Sequence, residues 1–225
     1  MRKAFVAILL MAAAASAHAA EIKVFLGPAV SSYTGRWPTR VFQGPVGEPD
    51  GLNPFINRRT GSLQGFGLEA QLEKWLAVEI DGLYFALGST FAGPGELFTE
   101  QMEIYDLEGL SVPVLAKFRP YGGLFPYFLA GVDVTFAFYH VRTSLVLPED
   151  DIIYREIARE DLWLATKKFD FKPVLGMGFE ITVFKQTFFV EGRYALGTVD
   201  MVKGFPGDVE SARIRSFCLL LGYRM

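Results

Sequence analysis

An all-β fold, with eight antiparallel strands running up and down round a closed barrel, is what this sequence predicts, on three observations. Apolar and polar residues alternate with a period of two in eight separate segments, the pattern of strands that keep one apolar face. The connections between those segments are alternately long and short. The apolar content, 51% of residues with 15% aromatic, is spread through short pieces, and after the first twenty residues no run reaches the roughly 18 needed for a membrane-spanning helix.

Taken in order, residues 1–19 read as a cleaved secretory signal: Arg2 and Lys3, an apolar stretch over 4–16, and a small-x-small site at Ala17-His18-Ala19. Residues 20–225 then form a single barrel domain. Alternation marks segments at 22–33, 63–72, 75–87, 109–118, 127–139, 169–183, 187–197 and 213–225, most of them near the 9–11 residues of a tilted membrane strand. Short turns fall at Glu73-Lys74, 119–126 and Phe184-Lys185-Gln186, and long connections at 34–62, 88–108, 140–168 and 198–212. In an up-and-down barrel this places all long loops at one end, and the short turns with both termini at the other. The Gly- and Pro-rich stretches FQGPVGEPDGLNPF (42–55) and FAGPGE (91–96) are expected to be irregular. One stretch, 149–165 (EDDIIYREIAREDLWLA), is expected to be helical.

Assigning faces decides which side is wet. In FFVEGRYALG (188–197), Val190, Tyr194 and Leu196 share a face with Gly192, while Glu191 and Arg193 share the other. The remaining segments behave alike: one face carries Phe, Leu, Val, Ile and Tyr, the other carries charges among Gly, Ala, Ser and Thr. Eight strands enclose only enough space for side chains or one small ligand. The bulky apolar face would overfill that lumen, so it points outward, where it has to meet lipid. The expected fold is therefore a transmembrane barrel with short periplasmic turns and long extracellular loops. Its lumen holds Glu69, Glu79, Asp81, Lys117, Asp133, Lys172, Glu180, Glu191, Arg193 and Arg224 as a paired charge network. A one-residue slip in register would turn Arg193 into hydrocarbon at about 2–4 kcal/mol near the midplane. Aromatic belts are expected at Trp75, Phe118, Tyr121, Phe125, Tyr127, Phe184 and Tyr223 on the short-turn side, and at Tyr84, Phe138, Tyr139, Phe169, Phe171 and Tyr194 on the long-loop side.

Other chemistry finds little support. Removing Arg2 and Lys3 from the 22 basic residues leaves 20 against 25 acidic ones, a balance unsuited to nucleic acid. Cys218 is the sole cysteine, and apart from His18 in the signal the sole histidine is His140, so neither a metal site nor a cofactor is expected. His140, with Thr143 and Ser144 after it, is the one candidate base for a hydrolase. GMGFE (176–180) opens no helix and is not a nucleotide loop.

GLSVPVLAKFRP (109–120), PYFLAGVDVTF (126–136), FKPVLGMGFEI (171–181), FFVEGRYALG (188–197) and the terminal RSFCLLLGYRM (215–225) resemble the small outer-membrane β-barrel domain family, often filed as "porin family". The resemblance covers 100–225 well and 22–90 loosely. It implies residence in a Gram-negative outer membrane and insertion by the barrel-assembly machinery. It carries over no active site. Such chains usually end in an outward aromatic, whereas this one ends in Met225, with Tyr223 two residues earlier. The expected function is a non-enzymatic, monomeric envelope protein with a plugged lumen and a structural or surface-interaction role. A small-solute channel, a lipid-modifying enzyme and a soluble periplasmic lipid-binding barrel are the alternatives. The acidic connection 140–168 is read as a cap over the barrel mouth or as a contact for an extracellular partner.

Overall fold

A computed structural model of the chain describes residues 20–34, 55–94, 100–120, 126–148, 153–164, 166–184, 186–199 and 213–225. Among these lie nine strands: β1 (Ala20–Thr34), β2 (Phe55–Glu73), β3 (Leu76–Pro94), β4 (Glu100–Phe118), β5 (Tyr127–Leu147), β6 (Arg155–Asp161), β7 (Phe169–Val183), β8 (Gln186–Leu196) and β9 (Arg213–Arg224). Eight close into a barrel in the order β1-β2-β3-β4-β5-β7-β8-β9, every ladder antiparallel, with β9 returning to β1. Closure leaves no edge in the wall. The signal segment lies outside the described residues.

Period two governs the wall. Along β7, outward residues from Phe169 to Ile181 are exposed and alternate with Asp170, Lys172, Val174, Gly178 and Glu180, which are buried. Outward Phe66, Leu175 and Ile181 are 65%, 62% and 60% exposed, far above what an apolar core residue shows. Inward, three aromatics each lie across a glycine directly opposite on the next strand: Phe85 over Gly109, Tyr127 over Gly178 and Phe189 over Gly222. A Cβ built on Gly222 would come within 2.1 Å of the Phe189 ring. The small residues on the charged face thus make room for rings lying flat across a narrow lumen.

The structure departs from the sequence reading in its upper half. Strands β2, β3, β4 and β5 run 19, 19, 19 and 21 residues, against 15, 15, 11 and 12 for β1, β7, β8 and β9. Much of the expected long loops is therefore strand, and half of the wall stands taller than the other half. The alternation fades there because the outer face turns polar, with Asp106, Glu108 and Thr143, so hydrated ladders continue without an apolar stripe. Residues 91–94 of FAGPGE belong to β3, while 42–54 lie outside the described residues. The helix expected over 149–165 is a strand instead where it is described: β6 pairs with the upper part of β5, from Val141↔Asp161 to Val146↔Arg155. Ile153, Ile157 and Leu164, whose spacing suggests a helix, are exposed and form no buried stripe, so the cross-strand ladder overrides the local pattern.

Candidate functional site

The lumen concentrates the ionisable side chains of the wall. At the short-turn end, Lys117 Nζ donates to Glu69 Oε2 at 2.9 Å and to Glu180, while Arg224 Nη1 reaches Glu69 Oε1 at 2.9 Å and Glu180 Oε1 at 3.2 Å. Arg119 donates to Glu69 and, at 2.8 Å, to the Gln71 side-chain carbonyl. One layer up, Lys23 Nζ donates to Glu79 Oε2 at 2.6 Å and Glu191 Oε1 at 2.9 Å. Arg193 binds Asp81 and Glu79, each at 2.5 Å, and Glu191 through Nε at 2.9 Å. The Tyr127 hydroxyl donates to Glu191 Oε1 at 2.7 Å, and Lys23 also lies 4.3 Å above the Phe189 ring.

The ten residues expected in the lumen all point inward. The pairing is less uniform than expected. Asp133 accepts from Ser111 Oγ at 2.5 Å and Thr135 Oγ1 at 3.3 Å. Lys172 sits opposite Asp133 in register without closing to ion-pair distance, its ammonium 5.5 Å from the Phe85 ring centroid. Both line a cavity of about 40 Å³ with Arg193, Ser216 and Cys218, room for a few waters. Lys23, Arg119 and Asp170 are buried members that the sequence reading missed. Lys23 was legible from parity, since Lys23, Phe25, Ala29 and Ser31 fall on one face of β1. Arg119 stands in what reads as a turn, and Asp170 at a strand end.

Above the cavity the lumen is shut by Phe85, Leu87, Tyr105, Leu107 and Ile214, all buried. His140, read as a loop residue, is in β5 and fully buried. The ladder slips at Glu108/Gly109, leaving Phe138 as a bulge, and this switches His140 to the inner face. Its Nδ1 lies 2.6 Å from Thr166 Oγ1, whose hydroxyl donates to the Leu162 carbonyl at 2.7 Å. Leu162 N–H also donates to the His140 carbonyl at 2.9 Å, so the segment 162–166 is tied to β5 at this residue. Thr143 and Ser144 belong to the same strand, and Ser144 pairs with Ala158 of β6.

The aromatic belts need one correction. Tyr127 is inside the lumen because its ring fills the space over Gly178 and its hydroxyl meets Glu191. Outside, Trp75 packs edge-on against Phe118 at 5.6 Å and Phe188 against Tyr223 at 5.5 Å on the short-turn side, with Tyr84 against Phe138 at 6.2 Å and Phe136 against Phe169 at 5.1 Å on the other. Tyr121 and Phe125 lie outside the described residues.

No family model and no curated protein matches the chain. Among solved structures, the backbone is similar to that of the outer membrane protein OprG from Pseudomonas aeruginosa, at 13% identity and a TM-score of 0.45 over 92% of this chain and 96% of that one. It is also similar to Ail, the attachment invasion locus protein of Yersinia pestis, at 12% identity and 0.39 over 92% and 99%, and to Neisserial surface protein A, at 11% and 0.38 over 92% and 99%.

Proposed function

We propose that the chain is an integral outer-membrane barrel, inserted by the barrel-assembly machinery after signal cleavage, with a structural or surface-interaction role and no catalytic one. The observation that carries this reading is the inversion of the wall: apolar rings and branched chains exposed outside, and ion pairs buried within. At about 25 cal/mol per Å², an outer band of that kind is stable only against hydrocarbon. The taller β2–β5 wall and β6 then stand on the extracellular side, where the 140–168 connection can meet a partner. A monomer suffices, since the barrel closes on itself.

Unboiled protein in detergent is expected to migrate faster on gels than boiled protein, and to fractionate with the outer membrane. Protein that stays soluble without detergent contradicts the reading. Because two charged layers and an aromatic seal fill the lumen, planar bilayers are expected to show no steady conductance; an open-channel signal would replace this reading by the small-solute channel. Incubation with lipid A and phospholipids is expected to give no turnover, and turnover lost on His140→Ala would make the protein an enzyme.

A further inference from the structure

Among the described residues, every buried or half-buried cation of the lumen but one meets a carboxylate. Lys23, Lys117, Arg119, Arg193 and Arg224 each donate to at least one. Lys172 is the exception: 2% exposed, it makes neither a hydrogen bond nor an ion pair among the described residues. Asp133 stands directly opposite on β5. The lysine stem instead reaches across the lumen toward β3, where the Phe85 ring centroid lies 5.5 Å from the ammonium. A buried ammonium left without an acceptor is strongly unfavourable, so the acceptor has to come from outside the protein.

The lumen has a place for one. Lys172, Asp133, Arg193 and Ser216 line the cavity of about 40 Å³, which at about 10–15 Å³ for each water holds about three. Asp133 accepts from Ser111 and Thr135, two of the roughly four hydrogen bonds its oxygens can take. The Ser216 hydroxyl has no partner among the described residues. Ammonium, carboxylate and hydroxyl together supply the polar contacts a buried water needs. An anion is a poorer occupant. In this part of the lumen Lys23, Lys172 and Arg193 face Glu79, Asp81, Asp133, Asp170 and Glu191, so carboxylates outnumber cations five to three. Three of those carboxylates already engage Arg193. An apolar ligand would leave the ammonium unsolvated.

We infer that this cavity is a water-binding site, in which about three ordered waters accept from the Lys172 ammonium and donate to Asp133, joining the two as a solvent-separated ion pair inside the plug. A bridging water is enthalpically nearly as good as a direct hydrogen bond. The lysine stem can therefore span the width of the lumen while its charge is balanced through solvent. The inference rests on the closed barrel alone and not on the membrane in which the barrel sits.

The full chain, deuterated, methyl-labelled at Leu and Val and refolded in detergent micelles, tests this through nuclear Overhauser cross-peaks from water. They are expected at Leu83, Leu87 and Val174, which line the cavity, and not at Leu107 in the seal above it. Lys172→Met is expected to abolish them. A second test reads a sign. Ser216→Val takes up part of the cavity: displacing a water that solvates a buried charge lowers the urea midpoint, whereas filling a dry void raises it. Ser216→Ala leaves room for the waters and should lower the midpoint less. Exchange of chloride for gluconate should leave the wild-type midpoint unchanged. The proposal is overturned by absent cross-peaks in the wild type or by cross-peaks that survive Lys172→Met. A midpoint for Ser216→Val no lower than that for Ser216→Ala overturns it as well, and a midpoint that follows chloride makes the occupant an anion instead.

Discussion

Arg193 neutralises three carboxylates at once, those of Asp81, Glu79 and Glu191. The two glutamates keep Lys23 if the guanidinium is removed, but Asp81 loses its ion-pair partner. Arg193→Met is therefore expected to destabilise the barrel by about 3–5 kcal/mol in urea unfolding from lipid vesicles. Adding Asp81→Asn should recover at least about 1 kcal/mol, because the two sites are coupled. The glycines opposite lumen rings make a second kind of demand. Gly222→Val places a side chain where the Phe189 ring lies and is expected to cost about 1–3 kcal/mol. In a Phe189→Leu background the same change should cost less, and the difference in the double-mutant cycle measures the contact.

At the scale of the strand, the outward face is a solvent-matching surface, and single charges on it test which solvent it meets. Leu219, midway along the outer face of β9, is expected to cost about 2–4 kcal/mol on change to Arg in vesicles, while Arg215 on the same strand is native. The apolar-band portions of the eight wall strands were legible because two faces of opposite character alternate there without a break. The upper portions were not: Asp106 and Glu108 turn the outer face of β4 polar, and a ladder held by backbone hydrogen bonds leaves no trace in an apolar stripe. The same gap hides β6, whose REIARED pattern fits a helix until β5 supplies a partner. All seven side chains of β6 are exposed, so replacing Arg155–Asp161 by a Gly-Ser chain is expected to leave heat-modifiability intact while opening the 148–168 connection to protease. His140 shows a third limit. A single bulge at Phe138 inverts the parity that its neighbours announce, and no residue type there signals the bulge.

For the molecule as a whole, the central lysine has a bearing on assembly. Lys23 belongs to the first strand of the wall, yet its ammonium touches Glu191 from the last but one and Glu79 from the third. Until β9 meets β1, that cation and Glu191 stand on opposite margins of an open sheet and hold their water, with only Glu79 near Lys23 on its own side. An unfinished ribbon therefore carries hydrated ions on the concave side that a cylinder must shed together, when the seam joins. Zipping of that last edge and drying of the interior become one event, and a half-built wall has no comfortable place in oil.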